Sequence, residues 1–271
     1  MKKIPLGTTD ITLSRMGLGT WAIGGGPAWN GDLDQQICID TILEAHRCGI
    51  NLIDTAPGYN FGNSEVIVGQ ALKKLPREQV VVETKCGIVW ERKGSLFNKV
   101  GDRQLYKNLS PESIREEVEA SLQRLGIDYI DIYMTHWQSV PPFFTPIAET
   151  VAVLNELKAE GKIRAIGAAN VDADHIREYL QYGELDIIQA KYSILDRAME
   201  SELLPLCRDN GIVVQVYSPL EQGLLTGTIT RDYVPGGARA NKVWFQRENM
   251  LKVIDMLEQW QTLCARCLLY T

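Results

Sequence analysis

The stretch Tyr129-Ile-Asp-Ile-Tyr-Met-Thr-His136 is rich in β-branched, aromatic and other apolar side chains, and it ends on a histidine. A short run of this kind predicts a strand that is buried on both faces, as in a parallel sheet. Similar runs occur on either side of it, at residues 16–20, 51–55, 80–85, 163–167, 186–189 and 211–217. The sequence therefore predicts seven buried strands.

Segments with helical periodicity separate these runs, at residues 34–48, 63–74, 111–125, 146–160, 172–182 and 199–210. Ser110 and Pro111 have the N-cap and first-turn chemistry of a helix start, whereas Gly126, Gly161 and Gly211 follow helices where a left-handed residue is expected. Strands that alternate with helices predict a parallel sheet with right-handed crossovers.

The polar strand ends favour a barrel over an open sheet. A barrel collects its chemistry from the carboxyl ends of many strands, whereas an open doubly wound sheet binds its ligand at one switch point. Here polar side chains end several different strands: Asp54, Lys85, His136, Asn170, Gln189, and Tyr217 with Ser218. We therefore predict an α/β fold of the (β/α)8 TIM barrel type, as one domain over residues 1–271.

The glycine-rich stretch Gly17-Leu-Gly19-Thr-Trp-Ala22 offers the alternative of a dinucleotide-binding turn in an open sheet. That turn must open a helix directly, but residues 24–31 intervene before helical periodicity resumes. We therefore interpret the stretch as a strand followed by a surface loop, with Trp21 as a candidate pocket residue.

Composition excludes several classes of protein. The chain has 271 residues, of which 45% are hydrophobic and 23% charged, and its net charge is −6, so a soluble globular protein without affinity for nucleic acid or anionic lipid is expected. Neither an export signal nor a membrane-spanning run is evident, so we expect a cytoplasmic protein with reduced cysteines. Cys264 and Cys267 have the spacing of zinc ligands but lack a second pair, so no metal site is predicted.

Four side chains together have a clear chemical use: Asp54, Tyr59, Lys85 and His136. Each alone has an ordinary structural explanation. A tyrosine hydroxyl with a pKa of about 10 is a weak acid at pH 7, and an adjacent lysine ammonium lowers that pKa. We predict that Tyr59 donates a proton, that Lys85 lowers its pKa and that Asp54 holds Lys85. A ring N–H of His136 would orient a carbonyl oxygen and stabilise its developing charge.

Such a site polarises a carbonyl group but supplies no electrons, so a hydride donor is needed. Asn170 and Gln189 suit a carboxamide, and Tyr217 offers an aromatic face for a nicotinamide ring. Residues 218–227 could present backbone N–H groups and hydroxyls to a pyrophosphate. These features predict a nicotinamide-dependent carbonyl reductase.

Several blocks of the sequence resemble the aldo-keto reductase superfamily, over residues 1–260. They include Asp54-Thr-Ala-Pro-Gly-Tyr59, Thr84-Lys85, the stretch that ends on His136, Gln189-Ala-Lys-Tyr192 and Tyr217-Ser-Pro-Leu220. The resemblance implies a catalytic tetrad of Asp54, Tyr59, Lys85 and His136. It further implies cofactor contacts from Thr20, Trp21, Asp54, Asn170, Gln189, Tyr217, Ser218, Pro219, Leu220, Gln222 and Gly223.

The resemblance also implies the reaction and its reactants. It implies hydride transfer from NADH, or alternatively NADPH, to small aldehydes or ketones of the methylglyoxal type. Trp21, Trp29, Trp90 and Trp137 are candidates for the wall of the substrate pocket, and the long segment 86–109 is a candidate lid over it.

Nothing after residue 217 reads as an eighth strand, and residues 246–262 read as a helix. We therefore expect a C-terminally truncated barrel whose eighth βα unit is missing and whose dinucleotide affinity is weak, which titration with NADH and NADPH would test. A non-catalytic barrel retained as a binding or structural subunit is the alternative. Unchanged activity in Tyr59→Phe would refute the assignment of Tyr59 as the acid.

Overall fold

Seven parallel strands curl into an incomplete barrel that helices cover on the outside. The computed structural model describes residues 1–266, apart from the side chains of residues 262 and 264. The strands in this part of the chain are β1 (Lys3–Pro5), β2 (Thr12–Ser14), β3 (Gly17–Gly19), β4 (Leu52–Asp54), β5 (Val81–Cys86), β6 (Ile88–Val89), β7 (Ser95–Val100), β8 (Arg103–Lys107), β9 (Ile130–Thr135), β10 (Ile163–Ala169), β11 (Ile187–Lys191) and β12 (Val213–Tyr217).

The barrel strands lie in the order β3-β4-β5-β9-β10-β11-β12, with every neighbouring pair parallel. All seven coincide with the runs that the sequence predicts, which confirms the fold class. Within residues 1–266 no strand follows β12, and β12 does not pair with β3. The helices are α1 (Gln35–Arg47), α2 (Asn63–Leu72), α3 (Pro111–Leu125), α4 (Ile147–Ala159), α5 (Ala173–Tyr182), α6 (Leu203–Asp209) and α7 (Arg247–Arg266).

The predicted helix ends are confirmed where the caps are visible. The Ser110 side chain accepts a hydrogen bond from the Ser113 N–H, and Gly126 ends α3 with a φ of 65°. Gly161 and Gly211 likewise have positive φ after α4 and α6. The helix predicted at residues 246–262 is α7. The Cys264–Cys267 pair extends beyond the described residues. No helix among residues 1–266 is both long and apolar enough to cross a membrane.

Alternation along each strand separates the barrel interior from the helical layer. On β5, Val81 packs inside the barrel, whereas Val82 and Cys86 pack outside against helices. Glu83 and Lys85 have the same parity as Val81, so they also point inward. The interior therefore contains ionisable residues above an apolar layer.

An amino-terminal hairpin closes the lower end of this interior. It consists of β1 and β2, and its Leu6, Ile11 and Leu13 are buried against the first inward residues of the barrel strands, among them Leu52 and Ile187. Because apolar side chains fill that end, the polar interior residues are not accessible from the amino ends of the strands.

The segment predicted as a lid forms a small antiparallel sheet in the order β6-β8-β7. It follows β5 and lies in the chain directly before α3, so it is anchored at the carboxyl end of the barrel. The pairing of β7 with β8 shifts between Leu96 and Asn98, which leaves Phe97 as the extra residue of a bulge.

Candidate active site

The structure brings three members of the predicted tetrad into direct contact. The Lys85 ammonium donates hydrogen bonds to the Asp54 carboxylate, to the Thr55 carbonyl at 2.9 Å and to the Tyr59 hydroxyl at 3.2 Å. Lys85 is fully buried and Asp54 nearly so. His136 completes the set, since its ring lies edge-on to that of Tyr59 with 5.7 Å between the centroids.

Strand register accounts for this convergence. Asp54 pairs with Glu83 across β4 and β5, and Lys85 pairs with Met134 across β5 and β9. Asp54 and Lys85 therefore point into the barrel from neighbouring strands, and His136 follows Met134 by one full alternation. Residues distant in the sequence meet because parallel strands end at the same face.

Buried hydroxyl groups hold the loop that carries Tyr59. The Thr20 hydroxyl donates to the Asp54 carbonyl at 2.9 Å and lies 2.7 Å from the Ser64 hydroxyl. Ser64 in turn lies 3.0 Å from the Thr55 hydroxyl. Thr20 is fully buried, so in this structure it supports the loop from beneath the site.

The pKa values of Lys85 and Tyr59 reflect two opposing effects. Burial lowers the pKa of Lys85, but its charged and hydrogen-bonded neighbours, chiefly the Asp54 carboxylate, together raise that pKa above its ordinary value, so Lys85 stays charged. Burial raises the pKa of Tyr59 to about 12, although Lys85 pulls it down. Our expectation of a net lowered tyrosine pKa was therefore wrong. Only the contribution of Lys85 has the predicted sign, and Tyr59 holds its proton at neutral pH.

His136 is a neutral imidazole. Burial, together with the nearby Lys85 charge, holds its pKa well below the ordinary value. Its Nδ1 is buried, and no group among residues 1–266 forms a hydrogen bond to it. A neutral histidine has one N–H to donate, so this ring can polarise a carbonyl oxygen without carrying a charge of its own.

Sequence analysis missed Glu83, a fully buried acid directly beside the tetrad. The Gln189 side-chain amide donates to Asp54 Oδ2 at 3.0 Å and to Glu83 Oε1 at 2.9 Å. Burial and then the Asp54 charge raise the pKa of Glu83 well above its ordinary value, which favours its neutral form. Its inward parity on β5 was the available signal. Gln189 therefore uses both amide N–H groups inside the barrel.

Asn170 and Tyr217 connect neighbouring strand ends at the mouth of the barrel. The Asn170 side-chain amide donates to the His136 carbonyl at 2.9 Å, and its oxygen accepts from the Tyr217 hydroxyl at 2.7 Å. Asn170 itself has a φ of 56°. These two hydrogen bonds of Asn170 hold the Tyr217 ring near His136.

The loop predicted to meet a pyrophosphate is sharply bent. Ser218, Glu221, Gln222 and Gly223 all have positive φ, between 45° and 98°. Three of these residues have side chains, and such strained backbone persists mainly at ligand sites. Arg239 holds the loop by donating to the Gln222 carbonyl at 3.0 Å. Pro219 and Leu220 are exposed on this loop.

Aromatic rings surround the mouth, as the sequence predicts. Trp21 lies 6.2 Å from Tyr59 and 5.1 Å from Trp29, measured between ring centroids. Two further pairs continue the wall, Phe61 with Trp90 at 5.7 Å and Phe97 with Trp137 at 5.5 Å. All four candidate tryptophans therefore belong to aromatic contacts on the loops around the site.

An incomplete parallel barrel with a buried lysine, a tyrosine and a neutral histidine at its mouth defines a class of oxidoreductase. The chain belongs to the aldo/keto reductase family, whose profile matches residues 15–266. It is 98% identical over 266 residues to the NADH-specific methylglyoxal reductase of Escherichia coli strain K12, a match that covers 98% of this chain and 82% of that protein.

Two further relatives agree with this assignment. Aldo-keto reductase YhdN of Bacillus subtilis strain 168 is 40% identical over 262 residues, which are 96% of this chain and 75% of that protein. The solved structure of a glycerol dehydrogenase from Gluconobacter oxydans superposes with a TM-score of 0.85 at 36% identity, covering 97% of this chain and 78% of the other. Both sequence and fold therefore support one family.

Proposed function

We propose that the protein reduces the carbonyl group of small aldehydes and ketones such as methylglyoxal, with NADH as the hydride donor and NADPH as the alternative. The contact of Lys85 with both Asp54 and Tyr59, opposite the neutral His136, carries this proposal. The name of the 98% identical Escherichia coli relative supports the substrate and the cofactor.

Each of these residues stabilises or neutralises a charge that develops during the reaction. The neutral N–H of His136 orients the carbonyl oxygen, which gains negative charge as hydride arrives at the carbon. Tyr59 then gives its proton to that oxygen, and the phenolate left behind is stabilised by Lys85 at 3.2 Å. Asp54 keeps Lys85 charged throughout.

The mouth of the barrel is where we propose that the dinucleotide binds. When bound, the nicotinamide supplies the hydride. We propose that the Tyr217 ring, which Asn170 holds, packs against it, and that Gln189 keeps Asp54 oriented beneath. The bent backbone of residues 218–223 has the conformation that presents N–H groups to anions. Direct contacts of Asn170, Gln189, Thr20 and Trp21 with the cofactor remain predictions.

The variant Tyr59→Phe tests the proposal. Removing a general acid costs about 10²- to 10⁴-fold in rate, so kcat for methylglyoxal should fall by that factor, measured from the loss of NADH absorbance. Tyr182→Phe is a matched control, because Tyr182 is an exposed tyrosine at the end of α5. Equal activity of Tyr59→Phe and the control would contradict the proposed role of Tyr59.

We also propose that the protein acts in the cytoplasm. Cys38, Cys48, Cys86 and Cys207 are free thiols, and unpaired cysteines are typical of a reducing compartment. Non-reducing and reducing electrophoresis of protein from cell extracts would test this, since disulfide-linked protein would argue against a reducing compartment.

A further inference from the structure

Strand β8 turns two cationic side chains toward the mouth of the barrel. Arg103, Leu105 and Lys107 share one face because alternate residues of a strand point the same way. Leu105 is buried, so this face packs against the protein. The Arg103 guanidinium lies 3.9 Å from the centroid of Phe61, and the Lys107 ammonium lies 5.0 Å from that of Trp137.

These two rings belong to the loops of the tetrad. Phe61 follows Tyr59 by two residues, and Trp137 is bonded directly to His136. Lys107 also pairs with Ile88, and a Cβ at Gly58, next to Tyr59, would lie 3.2 Å from Ile88. The strand that carries Lys107 therefore borders the site where Tyr59 and His136 act.

A bulge completes the surroundings of Lys107. Leu96 pairs with Tyr106 and Asn98 pairs with Leu105, so Phe97 is the extra residue. Bulges redirect side chains and are common beside active sites. Here the Phe97 ring contacts Trp137, and the Lys107 ammonium lies 5.5 Å from the Phe97 centroid. Two rings thus line the position of one ammonium.

Lys107 has no anionic partner within residues 1–266. It forms neither an ion pair nor a side-chain hydrogen bond there, whereas the similarly half-buried Lys158 and Lys191 each contact two carboxylates. Lys107 is half-buried, and this partial burial lowers its pKa. A partly desolvated cation beside the reacting groups favours an anion there.

We propose that Lys107 binds the carboxylate of the substrate, so that this reductase also takes aldehydes and ketones that carry a carboxylate. The inference rests on the proposed function and extends its substrate class. Phe97 and Trp137 pack against the carbon chain, and by excluding water they strengthen the attraction between ammonium and carboxylate.

Kinetics with length-matched substrates test this inference. Succinic semialdehyde and butanal have the same chain length, but only the first is anionic. Lys107→Met should raise KM for succinic semialdehyde about tenfold, which corresponds to about 1.4 kcal/mol, and leave kcat and the KM for butanal within about twofold. Lys107→Arg should restore most of the lost affinity. Lys99→Met, on the exposed side of the same hairpin, is the matched control and should have no effect.

Three kinetic results would overturn the inference. The first is an equal rise of KM for both substrates, which would indicate a purely structural lysine. The second is no rise for either substrate. The third is a rise confined to glyceraldehyde 3-phosphate, which would assign a phosphate rather than a carboxylate to Lys107.

A binding measurement separates this inference from the proposed function. If the wild-type protein fails to reduce methylglyoxal, the proposed function is wrong, but succinate can still be titrated against the tryptophan fluorescence. A Kd for succinate that rises about tenfold in Lys107→Met, with no binding of succinamide to either protein, supports the inference. Equal Kd values for succinate in both proteins contradict it.

Discussion

The buried pair of Lys85 and Asp54 allows one stability prediction to be worked out in full. The Lys85 ammonium has three N–H groups, and each donates a hydrogen bond: to Asp54, to the Thr55 carbonyl and to the Tyr59 hydroxyl. Lys85→Met keeps a similar length and removes the charge. The Asp54 carboxylate is then left in the barrel without its cation.

The loss of unfolding free energy depends on whether the Asp54 carboxylate stays charged or takes up a proton. Removing one partner of a buried ion pair costs about 3–5 kcal/mol. The variant can instead protonate the carboxylate. An ordinary aspartate has a pKa of about 3.9, and each pH unit above that value costs about 1.4 kcal/mol, so neutralisation costs about 4 kcal/mol at pH 7. We therefore expect Lys85→Met to lose about 4 kcal/mol at pH 7.

The stability loss in Lys85→Met should depend on pH. At pH 5 protonation of the carboxylate costs only about 1.5 kcal/mol, so the loss should shrink toward that value. Urea unfolding followed by circular dichroism at both pH values measures the free energy of unfolding of Lys85→Met relative to wild type. The double variant Asp54→Asn/Lys85→Met leaves no unpaired carboxylate at this position. Its free energy of unfolding at pH 7 should therefore exceed that of the single variant by at least about 2 kcal/mol.

An exposed lysine provides the control for Lys85→Met. Lys252→Met removes a lysine that is exposed together with its partner Glu248, and such pairs contribute at most about 1 kcal/mol. The reasoning is refuted if Lys85→Met and the double variant are equally stable at pH 7, or if the loss in Lys85→Met is the same at pH 5.

Three further predictions concern buried positions. Glu83→Gln should keep kcat for methylglyoxal within a few-fold of wild type, because burial already favours the neutral form of Glu83; a loss as large as that of Tyr59→Phe would show that its proton takes part in the reaction. Burial raises the pKa of Glu117 to about 8, so its contribution to stability is complete below the pKa of the unfolded chain and is lost as the pH rises through 8. The free energy of unfolding of Glu117→Gln, measured with urea and compared with wild type, should therefore rise by about 3 kcal/mol from pH 5.5 to pH 7.5. A difference that stays constant over this range would argue against the prediction. Gly167→Ala should cost about 1–3 kcal/mol, because a Cβ there would lie 2.8 Å from the Met134 Cβ inside the sheet; an unchanged urea midpoint would contradict this.

Much of the site was predictable because its members are strand ends. Asp54, Lys85 and His136 each close a run of apolar residues, and in a parallel barrel the ends of such runs meet at one face. Tyr59 follows the first of these strand ends by five residues. The seven-strand count and the absence of an eighth strand before residue 267 were predicted in the same way.

What the sequence by itself determined is the barrel and the candidate tetrad, since both depend on local periodicity and on the residues at or after each strand end. The tertiary structure decided the net pKa of Tyr59, because burial and Lys85 act in opposite directions and their balance depends on depth. It also decided the role of Glu83 and the position of Lys107. The first depends on the Gln189 amide from a distant strand, and the second depends on the pairing of Lys107 with Ile88 and Ser95. Such contacts join residues far apart in the chain, so local sequence patterns do not specify them.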